Sequence, residues 1–316
     1  MNAADIKPPG TASLQGLLLP TTPESLWPLV KQAMQGTPEP RARQLLLGLS
    51  ECLHRFVLEH AVTEAEFELA LDFVVRLGHA TGQHTNEVVL AADLLGLSTL
   101  VALLNNRPLK GHSEAALLGP FWRANVPFYP LGSSIDQALG DAPEASRDPA
   151  LGMPLLVSGQ VFGAQGQPLA DAVVDVWQAS PVGLYENQDP SQPEMNLRGR
   201  FRTDAQGRYH FRSVRPAGYP VPTDGPCGEL LRLQQRHPNR PAHLHFMVSA
   251  EGHKVLVSQV FADDAATLGS DPVFGVTQGL VGHFKTVLKQ GVEQAELAQD
   301  FHLLPGEPVF PAAPIP

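Results

Sequence analysis

The chain has 316 residues, enough for a sizeable core and for more than one domain of the usual 100 to 150 or so residues. Only 22 basic residues stand against 32 acidic ones, a net charge of −10, which offers no electrostatic footprint for nucleic acid. No apolar run approaches the roughly 20 residues needed to cross a bilayer, and the polar stretch Met1 to Gly10 lacks the features of a signal peptide. The expectation is a cytoplasmic protein with no membrane span. Cys52 and Cys227 fall in different segments, so reduced thiols are expected and a thiolate zinc site is not.

In chain order, residues 1–20 read as a loose arm. From Pro38 the pattern is helical, with Leu45, Leu49, Cys52, Leu53, Phe56 and Val57 repeating at three and four. A second helix opens on the capping-box pair Thr63 and Glu66 and stops in Gly78 to Gly82. A third is predicted from Asn86 to Asn106, so rich in Leu and Val that burial is expected. Residues 21–107 therefore read as a helical domain. From Pro108 to Pro154 the many prolines and glycines predict a long connection rather than helix.

After that the pattern is that of strands. Leu155 to Phe162 and Ala172 to Gln178 come first. Gly199 to Thr203 and Arg208 to Val214 are predicted as a hairpin about Asp204 to Gly207, and Pro241 to Ser249 and Lys254 to Ala262 as a pair about Ala250 to Gly252. Residues 279–300 read as a last helical or mixed segment before a Pro-rich tail. The fold expected is mainly β, an antiparallel β-sandwich over residues 108–316 with the helical domain before it. No internal repeat is present.

Inside the strand over 241–249 stand His243 and His245. Residues two apart on a strand share a face, so the pair fits either one shared metal ion or two packed side chains. Tyr185 and Tyr219 lie in turns, where a half-buried ring is the ordinary outcome. A strongly Lewis-acidic ion such as Fe(III) can nevertheless draw the proton from a phenol.

Several segments together resemble the intradiol ring-cleavage dioxygenases. They are Val174-Asp-Val-Trp-Gln-Ala-Ser, Gly183-Leu-Tyr, Asn196-Leu-Arg-Gly-Arg-Phe, Arg215-Pro-Ala-Gly-Tyr-Pro, Thr223-Asp-Gly-Pro and Arg236-His-Pro-Asn-Arg-Pro-Ala-His-Leu-His-Phe. With Leu118-Gly-Pro-Phe and the helices, the resemblance spans about residues 25–290. It implies one Fe(III) per subunit held by Tyr185, Tyr219, His243 and His245, with Tyr219 as the phenolate that leaves when substrate binds. Arg240 and Gln259 match positions beside the substrate, where a fixed cation would steady a developing anion.

The same resemblance implies a pocket walled by Leu90 and Asp93, by Leu117, Leu118, Gly119, Pro120 and Phe121, and by Val221, Pro222 and Val273. A carboxylate within an apolar helix needs a partner, and Asp93 fits the hydroxyquinol branch, where it would accept a hydrogen bond from a third hydroxyl. The wording Val248-Ser-Ala-Glu-Gly also sits nearer that branch, whereas Arg215-Pro-Ala-Gly-Tyr fits the catechol branch about as well. The expected substrates are a small aromatic diol and O2. A homodimer joined through the helices, with phospholipid held between subunits, is implied as well. Two rival readings are a cupin-type site, whose carboxylate would be Glu251, and a non-catalytic binding module.

Overall fold

The structure, a computed structural model, describes residues 19–82, 86–106, 111–137, 152–289 and 291–314. The predicted arm up to residue 18, much of the connection before Pro154 and the last two tail residues lie outside them. Packing divides the chain into two compact units, Met1–Val74 and Val75–Pro316. Composition suggests a division at residue 107, whereas the packing boundary falls inside a helix.

In the first unit, helix α1 (Leu26–Met34) is followed by α2 (Pro40–Glu59), whose first amides Arg41 N and Ala42 N donate to the Glu39 carboxylate. Helix α3 (Glu64–Ala80) begins in this unit on the expected capping box: Thr63 N donates to Glu66 Oε2 at 2.9 Å and Glu66 N to Thr63 Oγ1 at 3.3 Å. No residue of α1 or α2 is buried.

In the second unit the predicted helix from Asn86 to Asn106 is two helices, α4 (Glu87–Leu94) and α5 (Leu97–Asn105), bent by 76°. Gly96 sits between them at φ 73°, a conformation that glycine adopts without steric cost. The expected burial is also corrected. Only Glu87, Ala91 and Leu94 of α4 are buried, none of α5, and Val88, Val89, Leu97, Leu100, Val101 and Leu104 face outward. Among the described residues no single helix is long and apolar enough to cross a membrane, although α4 and α5 would pass as a bent pair.

Strands β1 (Pro154–Phe162), β2 (Val173–Gln178), β3 (Arg198–Arg202) and β4 (Arg208–Val214) precede the two-residue β5 (Tyr219–Pro220). Helix α6 (Pro226–Leu233), absent from the sequence reading, comes next. Then follow β6 (Asn239–Arg240), β7 (His243–Ser249), β8 (Leu256–Ala262), β9 (Val281–Gly282), β10 (Lys285–Lys289), β11 (Val292–Ala298) and β12 (Phe301–His302). One sheet runs β10-β11-β1-β12 with β4 also on β1, a second runs β3-β2-β7-β8-β9, and β5 pairs with β6. Both five-stranded sheets are mixed rather than antiparallel, because β1 pairs in parallel with β11 and β12, and β8 with β9.

Two further expectations change. The hairpin over 199–214 is not one: after the Asp204–Gly207 turn, β3 joins β2 and β4 joins β1 in the other sheet. Among the described residues over 279–300, a 3-10 turn (Gln278–Leu280) leads into the strands β9, β10 and β11, and Ala295 and Leu297 bury against β1 although Val292-Glu-Gln-Ala-Glu-Leu-Ala is rich in helix formers. The β7–β8 pair forms as expected. Side chains from both five-stranded sheets, including Val157, Phe211, Val176, Phe246 and Val260, join one hydrophobic cluster. Cys52 is exposed, Cys227 is buried, and both are free thiols.

Candidate functional site

The first turn of β7 puts His243 and His245 on one face, both almost fully buried. His243 donates from Nδ1 to Pro241 O at 2.7 Å, which leaves its Nε2 as a lone pair. That Nε2 stands 3.1 Å from His245 Nε2. Burial, helped by Arg240, pushes the His243 imidazole down to about 3. Burial and then His243 lower His245 too, so both rings are neutral, the form that binds metals. Trp177, opposite His245 across β2 and β7, stacks on it at 4.9 Å and 12° and fixes the ring plane.

Both predicted tyrosines come to this pair. The Tyr219 ring lies 5.5 Å from His243, the Tyr185 ring 6.4 Å from His245, and the two phenol rings 5.5 Å from each other, edge to face. Tyr185 is buried and its hydroxyl has no hydrogen-bond partner. Burial, reinforced by Tyr219, pushes its phenol well above the usual range. Phe121 stacks on Tyr185 at 4.4 Å.

Two imidazole nitrogens bound at right angles to one ion, each about 2.1 Å away, lie roughly 3 Å apart. The observed Nε2 to Nε2 distance matches that spacing. Among the described residues no three His, Cys, Asp or Glu side chains gather as a metal site, so an ion at this pair needs donors of another kind. A partnerless buried phenol supplies one, because a cation would provide the stabilisation that its ionised form otherwise lacks. The residues therefore fit a hard, strongly acidic ion. Glu251, the cupin-type candidate, is exposed in the turn beyond the far end of β7 and is not brought to the histidines.

Arg240, paired with Tyr219 across β5 and β6, is buried with Nη1 3.4 Å from His243 Nε2. Gln259 stands opposite His245 on β8. Its Oε1 accepts from Arg240 Nη2 at 3.2 Å, and its Nε2 donates to Leu117 O at 2.7 Å, which anchors the segment over 117–121. Gly119, at φ 76°, has room for no side chain without shifting a neighbour, since a Cβ would stand 3.1 Å from the His245 ring. Of the other predicted wall residues, Phe121, Val221 and Val273 are buried. Leu90, Asp93, Leu117, Leu118 and Pro222 are half-buried, and Pro120 is exposed. Burial raises the Asp93 pKa, partly offset by a Ser98 hydrogen bond and by the charge of Arg240.

Four charged groups, Asp271, Arg198, Glu186 and Arg236, join the site although none was among the expected site residues. Asp271 forms a two-pronged pair with Arg240, from Nε and Nη2, each at 3.1 Å. Arg198, fully buried, pairs with Glu186 at 2.7 Å beside Tyr185 and donates to Phe121 O at 2.5 Å. Arg236 donates to Leu94 O and Pro272 O. An Asp two residues before the predicted wall residue Val273 was the one local signal available for Asp271. A cavity of about 420 Å³ lined by Arg236, His237, Ser270, Asp271 and Phe274 includes none of Tyr185, Tyr219, His243 and His245.

Residues 125–305 match the family described as "Dioxygenase", and residues 39–112 match "Catechol dioxygenase N terminus". A hydroxyquinol 1,2-dioxygenase of Rhizobium sp. (strain MTP-10005) is 40% identical over 84% of this chain and 85% of its own length. A catechol 1,2-dioxygenase of Candida albicans is 37% identical over 82% of this chain and 83% of its own. The solved hydroxyquinol 1,2-dioxygenase of Pseudomonas putida DLL-E4 superposes with a TM-score of 0.81 at 34% identity, covering 90% of this chain and 100% of that one. The chain belongs to the intradiol ring-cleavage dioxygenases, oxidoreductases that join an aromatic diol with O2 and generally use non-haem Fe(III).

Proposed function

We propose that the chain opens hydroxyquinol, 1,2,4-trihydroxybenzene, between its adjacent hydroxyls, giving 3-hydroxy-cis,cis-muconate or its tautomer maleylacetate. The observation that carries this reading is the buried cluster of two neutral imidazoles, 3.1 Å apart at Nε2, with the partnerless Tyr185 phenol beside them. On this reading His243, His245, Tyr185 and Tyr219 hold one Fe(III) per subunit. When bound, the ion would favour the ionised forms of the phenols and of the diol, so that the diol would meet O2 as an electron-rich anion.

The chain's own groups do the rest. Tyr219, as phenolate, takes at its Oη the proton released by one diol hydroxyl. Arg240 keeps a fixed cation beside His243, where charge builds on the substrate ring as it is attacked. Gln259 holds Arg240 and the Leu117 carbonyl in fixed relation. Leu90, Leu118, Phe121, Val221 and Val273 exclude water. Asp93 accepts a hydrogen bond from the third hydroxyl, which selects hydroxyquinol over catechol. A second reading is cleavage of catechol, which the Candida relative supports, or of a chlorocatechol, which the solved chlorocatechol 1,2-dioxygenase of Pseudomonas putida supports, to a cis,cis-muconate.

The reading extends to assembly. Residues 21–107 would serve as a dimerisation domain and 108–316 as a sandwich carrying the site, in a cytoplasmic homodimer with phospholipid at its interface. The outward-facing apolar side chains of α2 and α3 in the first unit, and of α4 and α5 in the second, support it.

The test is product analysis after mixing iron-loaded protein with hydroxyquinol, catechol and protocatechuate under oxygen. The expected result is ring opening between the hydroxyls, with the highest kcat/KM for hydroxyquinol. Preference for catechol would move the assignment to the second reading, and opening outside the diol would refute both.

A further inference from the structure

We infer that Asp271, through the turn Asp271 to Gly275 that it anchors, is a positioning residue which sets the guanidinium of Arg240 against the substrate. The inference rests on Arg240 acting there. Asp271 Oδ1 accepts from Arg240 Nε and Oδ2 from Nη2, each at 3.1 Å, with side chains 2% and 5% exposed. Two parallel bonds to one carboxylate leave the guanidinium plane a single orientation. In that orientation Nη1 faces His243 Nε2, and Nη2 also reaches Gln259 Oε1.

The carboxylate is itself fixed from behind. Gly275 N donates to Oδ2 at 2.9 Å and Val273 N to Oδ1 at 3.5 Å. A Cβ at Gly275 would crowd this pair, standing 3.0 Å from Arg240 Nη2 and 3.1 Å from Asp271 Oδ2, so that one of them would have to give by a few tenths of an ångström. The same turn is fastened to α4, which carries Leu90 and Asp93 of the proposed substrate wall, and to α5. Arg236 bridges Leu94 O, at the end of α4, to Pro272 O with bonds of 2.9 and 2.6 Å, and its guanidinium lies over Phe274 at 4.5 Å. Thr99 on α5 donates to Val273 O at 3.1 Å. One turn thus places Arg240 and Val273 together, and ties both to the end of the helix bearing Leu90 and Asp93.

The test uses the full-length, iron-loaded protein and four variants: Asp271→Asn, Arg240→Gln, the double variant, and Gly275→Ala, which keeps every charge. Read out are kcat and KM for hydroxyquinol, its anaerobic binding followed in the visible spectrum, and iron content. Asp271→Asn is expected to lower kcat about 10- to 100-fold, with iron content unchanged and anaerobic affinity altered far less. The double variant should be worse than Arg240→Gln by no more than about twofold, because residues acting as one unit do not add. Gly275→Ala should show a smaller fall in kcat of the same kind.

Independent, multiplying losses in the double variant, or iron loss that tracks the activity loss, would make Asp271 a merely structural residue and overturn the inference. Should Asp271→Asn fail to fold, Gly275→Ala decides, and wild-type kcat there overturns it. Wild-type kcat in Arg240→Gln would instead remove the role of Arg240 itself. A loss in Arg240→Gln with none in Asp271→Asn would remove the positioning role alone.

Discussion

In α2 not one of 20 residues is buried, although Leu45, Leu49, Leu53 and Phe56 form an apolar stripe, whereas in β7 six of the seven residues are buried. The strands complete a core from their own side chains, and that core holds the His243 and His245 rings in place. The helical stripe completes none within its own unit, and this is the surface that the proposed dimer would cover. Carboxylates follow the same contrast. Glu66 at the start of α3 is held below its usual range by exposed capping hydrogen bonds, whereas burial lifts Asp175 on β2 to about 7.

Breaking the core should have the largest effect. Phe246, fully buried and 5.0 Å from Phe301, should cost about 3–5 kcal/mol when replaced by alanine. Denaturant unfolding would read this, and a loss near zero would show that β7 does not rest on the shared cluster.

Asp175 tests the polar side of the comparison. Trp122 Nε1 donates to its Oδ2 at 3.3 Å, and its Oδ1 has no partner. Since its folded pKa lies above the ordinary 3.8, the folded chain binds the proton more tightly than the unfolded chain does. The stability this provides is complete below about pH 4 and lost as pH rises through about 7. Asp175→Asn should therefore raise the Tm near pH 8 and leave it unchanged near pH 4. Parallel Tm curves would contradict this.

Asp93→Ala should lower kcat/KM about tenfold more for hydroxyquinol than for catechol, the size of one hydrogen bond to a charged group. Equal losses would make Asp93 structural. The smallest effect on the fold should follow Leu49→Ser with Leu53→Ser on the exposed stripe. Their helical circular dichroism should match wild type, while light scattering should show a dimer reduced to monomer. A wild type that is already monomeric would remove the proposed interface.

How legible each part was in the sequence follows from how local its cause is. The His243 and His245 pair was readable because a period of two puts both on one face, and the Thr63 capping box because its partners are three residues apart. The tyrosines were readable only through family resemblance, since nothing near a turn tyrosine says what its ring will face. Asp271 lies 31 residues from Arg240 and Arg236 lies 142 from Leu94, separations that no local pattern spans. The segment over 292–298 carries helix formers, and its strand state is set by parallel pairing with β1. The break at Gly96 was locally available, because a glycine within an apolar run is a stop signal.

The proposed donor set at the floor of the site is tested most directly by the visible absorption of the iron-loaded protein. Phenolate bound to Fe(III) absorbs visible light by charge transfer, so the wild type should be red-brown to purple. Tyr185→Phe should lose much of that band together with bound iron. An iron-loaded wild type without colour, or an unchanged band and full iron content in Tyr185→Phe, would contradict the assignment of the two phenols to the metal.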